Sequence, residues 1–198
     1  MITLWASNEI DHWKAALERY VEVVAGQGVA SLAGHDVWYR DELPVAIAAR
    51  RQPHVTHSEL VRVTEWKMAR GVWRPRNLAL VRGNSAALVI ETSSAALGMV
   101  PDPTAPIATL AELAGVGPAT ASAVAAAAHP DVYPFFDELV GAQVSGLGTL
   151  AFTLGYYKRY AAALRERAAT LGRRWTPVMV ERALWANVGG KAGARKRG

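Results

Sequence analysis

Apolar residues recur at helical spacing along nearly the whole chain, and no stretch shows the alternation of a half-buried strand. Ile10, Trp13, Leu17, Tyr20 and Val21 form one stripe, which predicts a helix capped by Ser7 or Asn8 and running to about Ala25. A loop rich in Gly and polar residues follows, then a short helix over 41–51 with Pro44 near its start. Thr56-His-Ser-Glu59 is a capping box that opens a helix to Arg70, and Gly71 ends it. Pro75 begins a helix that stops near Gly83, and Asn84 caps the next one, to Leu97. Pro101-Asp-Pro103 interrupts the pattern. Further helices are predicted over 106–113, 119–128 and 137–144, then over 156–171, closed by Gly172. Thr176 caps the last helix, with Pro177 in its first turn. The Ala-rich run 119–128 reads as helix because Ala has the highest propensity, and its small side chains permit close packing. The expectation is an all-α chain without internal repeats.

Composition narrows the function classes. The 198 residues suffice for one domain or two small lobes, and half of them are apolar. No apolar run reaches the ~18 residues of a membrane span, and no basic-then-apolar leader opens the chain. The expected location is therefore the cytoplasm, nucleoid-associated if the source is bacterial. The absence of cysteine excludes disulfides, zinc–thiolate sites and Cys-ligated iron–sulfur clusters. The histidines, at 12, 35, 54, 57 and 129, complete no ligand set with convincing spacing, so neither metal nor cofactor is expected. A net charge of +5 suits a phosphate-backbone partner, although a scattered basic surface gives the same value. Residues 190–198 are Gly-rich and basic, which predicts a disordered tail.

The densest chemistry lies in Leu113-Ala-Gly-Val-Gly-Pro-Ala-Thr-Ala121 and the following Pro134-Phe-Phe-Asp137. The first reads as helix, tight turn, helix. Gly115 and Gly117 suit positive φ and a close approach of backbone to a ligand. Pro118 and Thr120 fit the first helical turn. Free N–H groups at such a turn make an anion site. This stretch resembles the helix-hairpin-helix of the DNA glycosylase superfamily that includes endonuclease III, whose pattern is Leu-Pro-Gly-Val-Gly-x-x-Thr-Ala followed by a catalytic Asp. Leu113, Gly115, Val116, Gly117, Thr120 and Ala121 match, Ala114 replaces the Pro, and Asp137 falls at the family's distance beyond Gly117. The clear resemblance covers residues 104–141.

The resemblance implies a two-lobed helical fold. Residues 52–148 would form the catalytic lobe, with the hairpin at 113–121, and 1–51 with 149–189 the second lobe. It implies a monomer that binds double-stranded DNA and excises a modified or mismatched base. A non-enzymatic helix-hairpin-helix DNA-binding protein is the alternative. Gly115, Val116, Gly117, Ala119 and Thr120 would hold the DNA backbone.

Breaking the glycosidic bond makes the sugar cationic and the base anionic, and a carboxylate beside the sugar stabilises the cation or deprotonates water. Asp137 takes that role by resemblance, and Asp before Glu-Leu-Val is also good N-cap chemistry. Glu138 reads as an auxiliary acid or as an ordinary first-turn carboxylate. Lyase-type relatives carry a Lys where this chain has Ala119, so the implied activity is monofunctional unless another Lys reaches the site. Lys67 is the candidate, with a helix C-terminal cation as the plainer reading. Around it, Trp66-Lys-Met-Ala-Arg-Gly-Val-Trp-Arg-Pro-Arg76 interleaves Trp with cations. Trp73 suits an intercalating wedge and Trp66 a stacking wall, or both are core residues. Arg70, Arg74 and Arg76 suit phosphate contacts or a solvated face. Phe135 and Phe136 beside Asp137 suit a base pocket or a loop anchor.

Overall fold

A computed structural model describes the backbone of residues 3–197 and the side chains of residues 3–194. Helices alternate with short turns throughout, and no strand occurs among the described residues. In chain order they are α1 (Ile10–Glu18), α2 (Tyr20–Ala25), α3 (Leu32–Val37), α4 (Leu43–Ala48), α5 (His57–Arg70), α6 (Pro75–Arg82) and α7 (Ala86–Leu97). They continue as α8 (Ala105–Leu110), α9 (Pro118–Ala128), α10 (Glu138–Gly141), α11 (Leu154–Leu171), α12 (Pro177–Asn187) and α13 (Gly190–Arg197). A 3₁₀ turn (Leu4–Ala6) precedes α1, and a π-helical turn (Trp38–Glu42) runs directly into α4.

Two helices organise the packing. α12 is flanked by α1, α2, α10, α11 and α13, so the two ends of the chain share one set of contacts. Val180, Ala183, Leu184 and Trp185 are all buried there. The second is α9, where every residue from Ala119 to Ala127 is buried. A helix apolar on all sides belongs inside, and its short side chains admit α4, α5 and α8 around it. Nearly all the buried apolar residues form one continuous cluster; Met68 and Leu78 lie outside it.

The α5 cap follows the sequence. Thr56 Oγ1 accepts from Glu59 N–H, while Glu59 accepts from Thr56 N–H at 2.8 Å. Several boundaries differ. The expected first helix breaks at Arg19, and the change of direction turns Tyr20 and Val24 inward. Val21, counted on the stripe, is 70% exposed. The supposed loop before residue 41 contains α3 and the π-helical turn, which carry Asp36, Tyr39 and Arg40 into the interior. Ser85, not Asn84, caps α7.

Asn84 instead clamps the α8–α9 turn. It accepts from Ala114 N–H and donates to Ala114 O, both at 3.0 Å. The turn itself needs Gly115, at φ +77°, because a Cβ there would sit 2.5 Å from Asn77 O of α6. Gly117 is extended, at φ −101°, so only one of the two glycines is conformationally required.

Residues 190–197, expected to be disordered, form α13. Gly189 and Gly190, both at positive φ, reverse the chain. Ala192 N–H then donates to Gln27 Oε1 at 2.9 Å, and Lys191 Nζ to Gly71 O at 2.7 Å. Those contacts fix a segment whose composition alone favours solvent.

Burial works to raise the Glu59 carboxyl, but hydrogen bonds from Arg50 and Thr56 outweigh it and hold the group below its ordinary 4.5. This contribution to stability is fully present above pH 4.5 and is lost as pH falls through the lowered folded value. Glu59→Gln is therefore expected to melt below wild type at neutral pH, with the difference narrowing in acid. Melting curves of both proteins between neutral and acidic pH check it, and a pH-independent difference contradicts it.

Candidate functional site

A cleft of about 330 Å³ opens where the C-terminal end of α5 faces the N-terminal end of α9. The segment 135–139 forms a further wall, and Phe152 and Lys191 complete the rim. That segment is pinned from two helices. Phe136 N–H donates to Ser122 Oγ of α9 at 2.9 Å, and Tyr160 of α11 donates to Phe135 O at 2.7 Å. The anchoring delivers Asp137 to the cleft at the head of α10. Its Oδ1 accepts from Leu139 N–H at 2.8 Å and Val140 N–H at 3.3 Å, which is N-cap geometry. Its Oδ2 lies 3.3 Å from Arg70 Nε.

Arg70 is not a phosphate-facing cation. Its side chain is 1% exposed and is held between Asp137 and Glu181 of α12, with which its Nη2 forms a short ion pair. Arg40 continues the series, 3.6 Å from Glu181 and 3.7 Å from Asp36. Tyr20 OH joins the pieces: it donates to Asp36 at 2.8 Å and accepts from Arg40 at 2.9 Å and from Arg70 at 3.2 Å. The result is a buried chain of alternating charge, Asp36–Arg40–Glu181–Arg70–Asp137. Burial works to lower the Arg70 guanidinium, but Glu181, Tyr20 and Asp137 more than offset it and hold it above its ordinary value. Burial pushes the Glu181 carboxyl up despite Arg70 and Arg40, and pushes Tyr20 up to about 12.

Lys67, one turn before Arg70 on α5, projects into the same cleft. Its Nζ donates to Thr120 Oγ1 at 3.2 Å. Burial lowers its pKa, and Arg74 lowers it further. Across the cleft, α9 begins at Pro118 behind Gly117, which has no heavy atom near its Cβ position. First-turn N–H groups of a helix lack intrahelical partners and carry the positive end of its dipole. The space beside Gly117 is open, and the Lys67 ammonium on Thr120 Oγ1 adds positive charge at the same helix end.

The structure gathers Lys67, Arg70, Arg74, Gly117, Ala119, Thr120, Phe135, Phe136, Asp137 and Glu138 around one cleft. It places others elsewhere. Trp66 is not a stacking wall: it is fully buried, lies 3.6 Å from the Tyr39 ring centroid in a stacked pair, and donates to Asp36 at 2.8 Å. Gly115 packs on α6 and the Val116 side chain is in the core. Trp73, 53% exposed, and Arg76 lie outside the cleft walls on the segment beside it.

Sequence reasoning missed Phe152 and Lys191 as cleft residues and Glu181 as the partner of Arg70. Glu181 carried a signal, as a lone carboxylate inside the apolar run Val178-Met-Val-Glu-Arg-Ala-Leu-Trp185. Phe152 lies in an irregular loop and Lys191 in a Gly-rich segment, where periodicity is silent. Among the described residues no three His, Asp or Glu groups come together as a metal site, and no helix is long and apolar enough to cross a membrane. Comparison of the chain with protein-family models, curated proteins and solved structures gives no match.

Neutralising Glu181 leaves the buried Arg40 and Arg70 short of a counter-charge. Glu181→Gln is expected to cost about 3–5 kcal/mol of unfolding free energy. Glu65→Gln breaks the exposed pair with Arg82 and is expected to cost about 1 kcal/mol or less. Urea unfolding of both variants measures the contrast. Equal costs would mean that the buried chain is not what holds α5 to α12.

Proposed function

We propose that the protein is a DNA glycosylase of the helix-hairpin-helix class, hydrolysing the N-glycosidic bond of a modified or mismatched base in double-stranded DNA. The observation that carries this reading is the meeting of the Asp137 carboxylate and the open N-terminus of α9 in one cleft with aromatic walls. The α9 N-terminus, with Arg74 and Arg76, takes the phosphate backbone. Trp73, exposed on the link between α5 and α6, is placed to wedge between bases as one is extruded. The extruded base enters beside Phe135, Phe136 and Phe152. At about 330 Å³ the cleft is at the small end of ligand sites, which run from ~300 to ~1,000 Å³. Asp137 stabilises the sugar cation, and water completes hydrolysis.

Of the implied lobes, α12 gathers α1, α2, α11 and α13 but also α10, and α9 gathers α5 and α8 but also α4, so the packing crosses the boundary between them. The cleft draws on both groups, through Lys67 from one and Phe152 from the other.

One observation favours the non-enzymatic alternative, a DNA-binding protein using the same hairpin. Both Asp137 oxygens are engaged, one in the α10 cap and one with Arg70. Arg70 is shared with Glu181, however, so it does not fully quench the Asp137 charge.

Asp137→Asn separates the two readings, because Asn keeps an oxygen for the cap. Catalysis predicts a loss of excision of about 100-fold or more, with duplex affinity unchanged or raised. Excision is read from alkali cleavage of duplexes carrying different lesions. Undiminished excision in the variant removes Asp137 from the mechanism.

Gly117→Asp tests the hairpin. No heavy atom lies within 4 Å of a Cβ at this extended position, so the fold is expected to survive, but a carboxylate would occupy the proposed phosphate position. Duplex affinity is expected to fall, and the salt dependence of the residual binding to weaken, in titrations at several salt concentrations. Unchanged binding with an unchanged circular dichroism spectrum means that DNA is held elsewhere.

A further inference from the structure

Lys67 is an ammonium with an unusual setting. Among the described residues no carboxylate lies within ion-pair distance of it, and it uses one of its three donors on Thr120. It shares a helix face with Arg70, since residues three apart are neighbours about 5–6 Å apart at Cβ. Arg70 in turn holds Asp137. One helix thus fixes both a cation donor and the partner of the carboxylate at the mouth of one cleft. Its charged surroundings on the cleft walls are Arg70 of α5, Arg74 of the link, Asp137 and Glu138 at α10, and Lys191 of α13.

Glycosidic cleavage needs opposite charges in two places: negative beside the sugar and positive beside the departing base. Asp137 supplies the first. The geometry points to Lys67 as the second: its ammonium hydrogen-bonds the departing base and protonates it, so that the site acts on neutral bases that would otherwise leave as anions and not on cationic N-alkylated ones. This inference rests on the glycosylase reading and deepens it. As the C1′–N bond breaks, its electron pair leaves with the base. A Lys67 proton moves onto that base. Water attacks C1′, and its proton passes to the Asp137 carboxylate. Exchange with solvent returns a proton to Lys67 and removes one from Asp137. One water is consumed, with hydrogen on the base and hydroxyl on the sugar. Burial lowers the Lys67 pKa, which makes the ammonium a stronger acid.

The test exploits the absence of cysteine from the chain. Duplexes carrying uracil, hypoxanthine, 8-oxoguanine or the cationic base 7-methylguanine are incubated with the full-length protein, Lys67→Gln, and Lys67→Cys before and after alkylation with 2-bromoethylamine. The expected result is release of at least one neutral base by wild type, with 7-methylguanine released poorly or not at all. That release should fall about 100-fold in Lys67→Gln. Alkylation of Lys67→Cys should restore it, with the basic limb of the pH–rate profile displaced to lower pH because the thioether amine is the stronger acid. A merely structural Lys67 would not move that limb. Full activity in Lys67→Gln, or release of 7-methylguanine alone, overturns the role of Lys67 and leaves the glycosylase reading standing. A borohydride-trapped covalent complex through position 67 also overturns it, because the amine would then attack the sugar. Binding of every duplex without release of any base overturns the glycosylase reading itself.

Discussion

The buried guanidinium of Arg70 is the constraint on which the rest of the site depends. It comes from the last residue of α5 and meets Glu181 of α12 and Asp137 at the head of α10. An unpaired charge at that depth would cost several kcal/mol, so the three elements are obliged to meet wherever Arg70 is buried. Trp185 covers it, 4.4 Å from the guanidinium carbon to the ring centroid. Its obligations then propagate. Glu181 requires Arg40, and Arg40 requires Asp36 and Tyr20. The π-helical turn at Trp38–Glu42 is what brings Tyr39 and Arg40 into this interior together. The Asp137 carboxylate is fixed in this way through groups from distant parts of the chain, which ties cleft geometry to global folding.

α9 is the second support, and it works by being featureless. Seven of its eleven residues are alanine, so neighbouring backbones approach closely and the N-terminus is set by shape. Two polar residues interrupt it, Thr120, which meets Lys67, and Ser122. The Ser122 hydroxyl donates to Ala119 O and accepts from Phe136 N–H, linking the helix interior to the segment that carries Asp137. Asn84 performs the matching task for the turn on the other side. The relative placement of hairpin and carboxylate is thereby set by two side chains, neither of which faces the cleft.

The legible parts of this chain were those written in local chemistry. The capping box at Thr56–Glu59, the Gly115 turn, the Pro-started helices and the Ala run each carry their conformation in a few adjacent residues. Asp137 was legible because its spacing from the turn is a sequence property. Arg70 was misread because a cation at a helix C-terminus beside other cations looks solvated. What buries it is a carboxylate 111 residues away, and pairing across that separation leaves no periodic trace. Trp66 was open between a stacking wall and the core, and its cover by Tyr39 and Asp36, which no local pattern announces, decides for the core. The 190–197 segment inverted its expectation because Gly189 and Gly190 permit a reversal that composition treats only as flexibility.

The polarity of the cleft follows from helix ends before any side chain is considered. α5 ends there and α9 begins there, so a partial negative pole faces a partial positive one across the same space. The negative pole is loaded with cations: Lys67 and Arg70 lie in the last turn of α5, and Lys191 is bound to Gly71 O at its end. The positive pole has open space beside Gly117, with the Lys67 ammonium on Thr120 Oγ1 next to it. A ligand with separated charges therefore finds a donor-rich wall and an anion-accepting helix end, with Asp137 and Glu138 adding negative charge on the third wall. A phosphodiester chain whose sugar becomes cationic as its base becomes anionic has that distribution, and has it most fully at the transition state. Differential binding of that state is what catalysis requires. Under the proposed glycosylase reading, the helix ends would favour that state even where individual side chains, such as Arg70, serve structure.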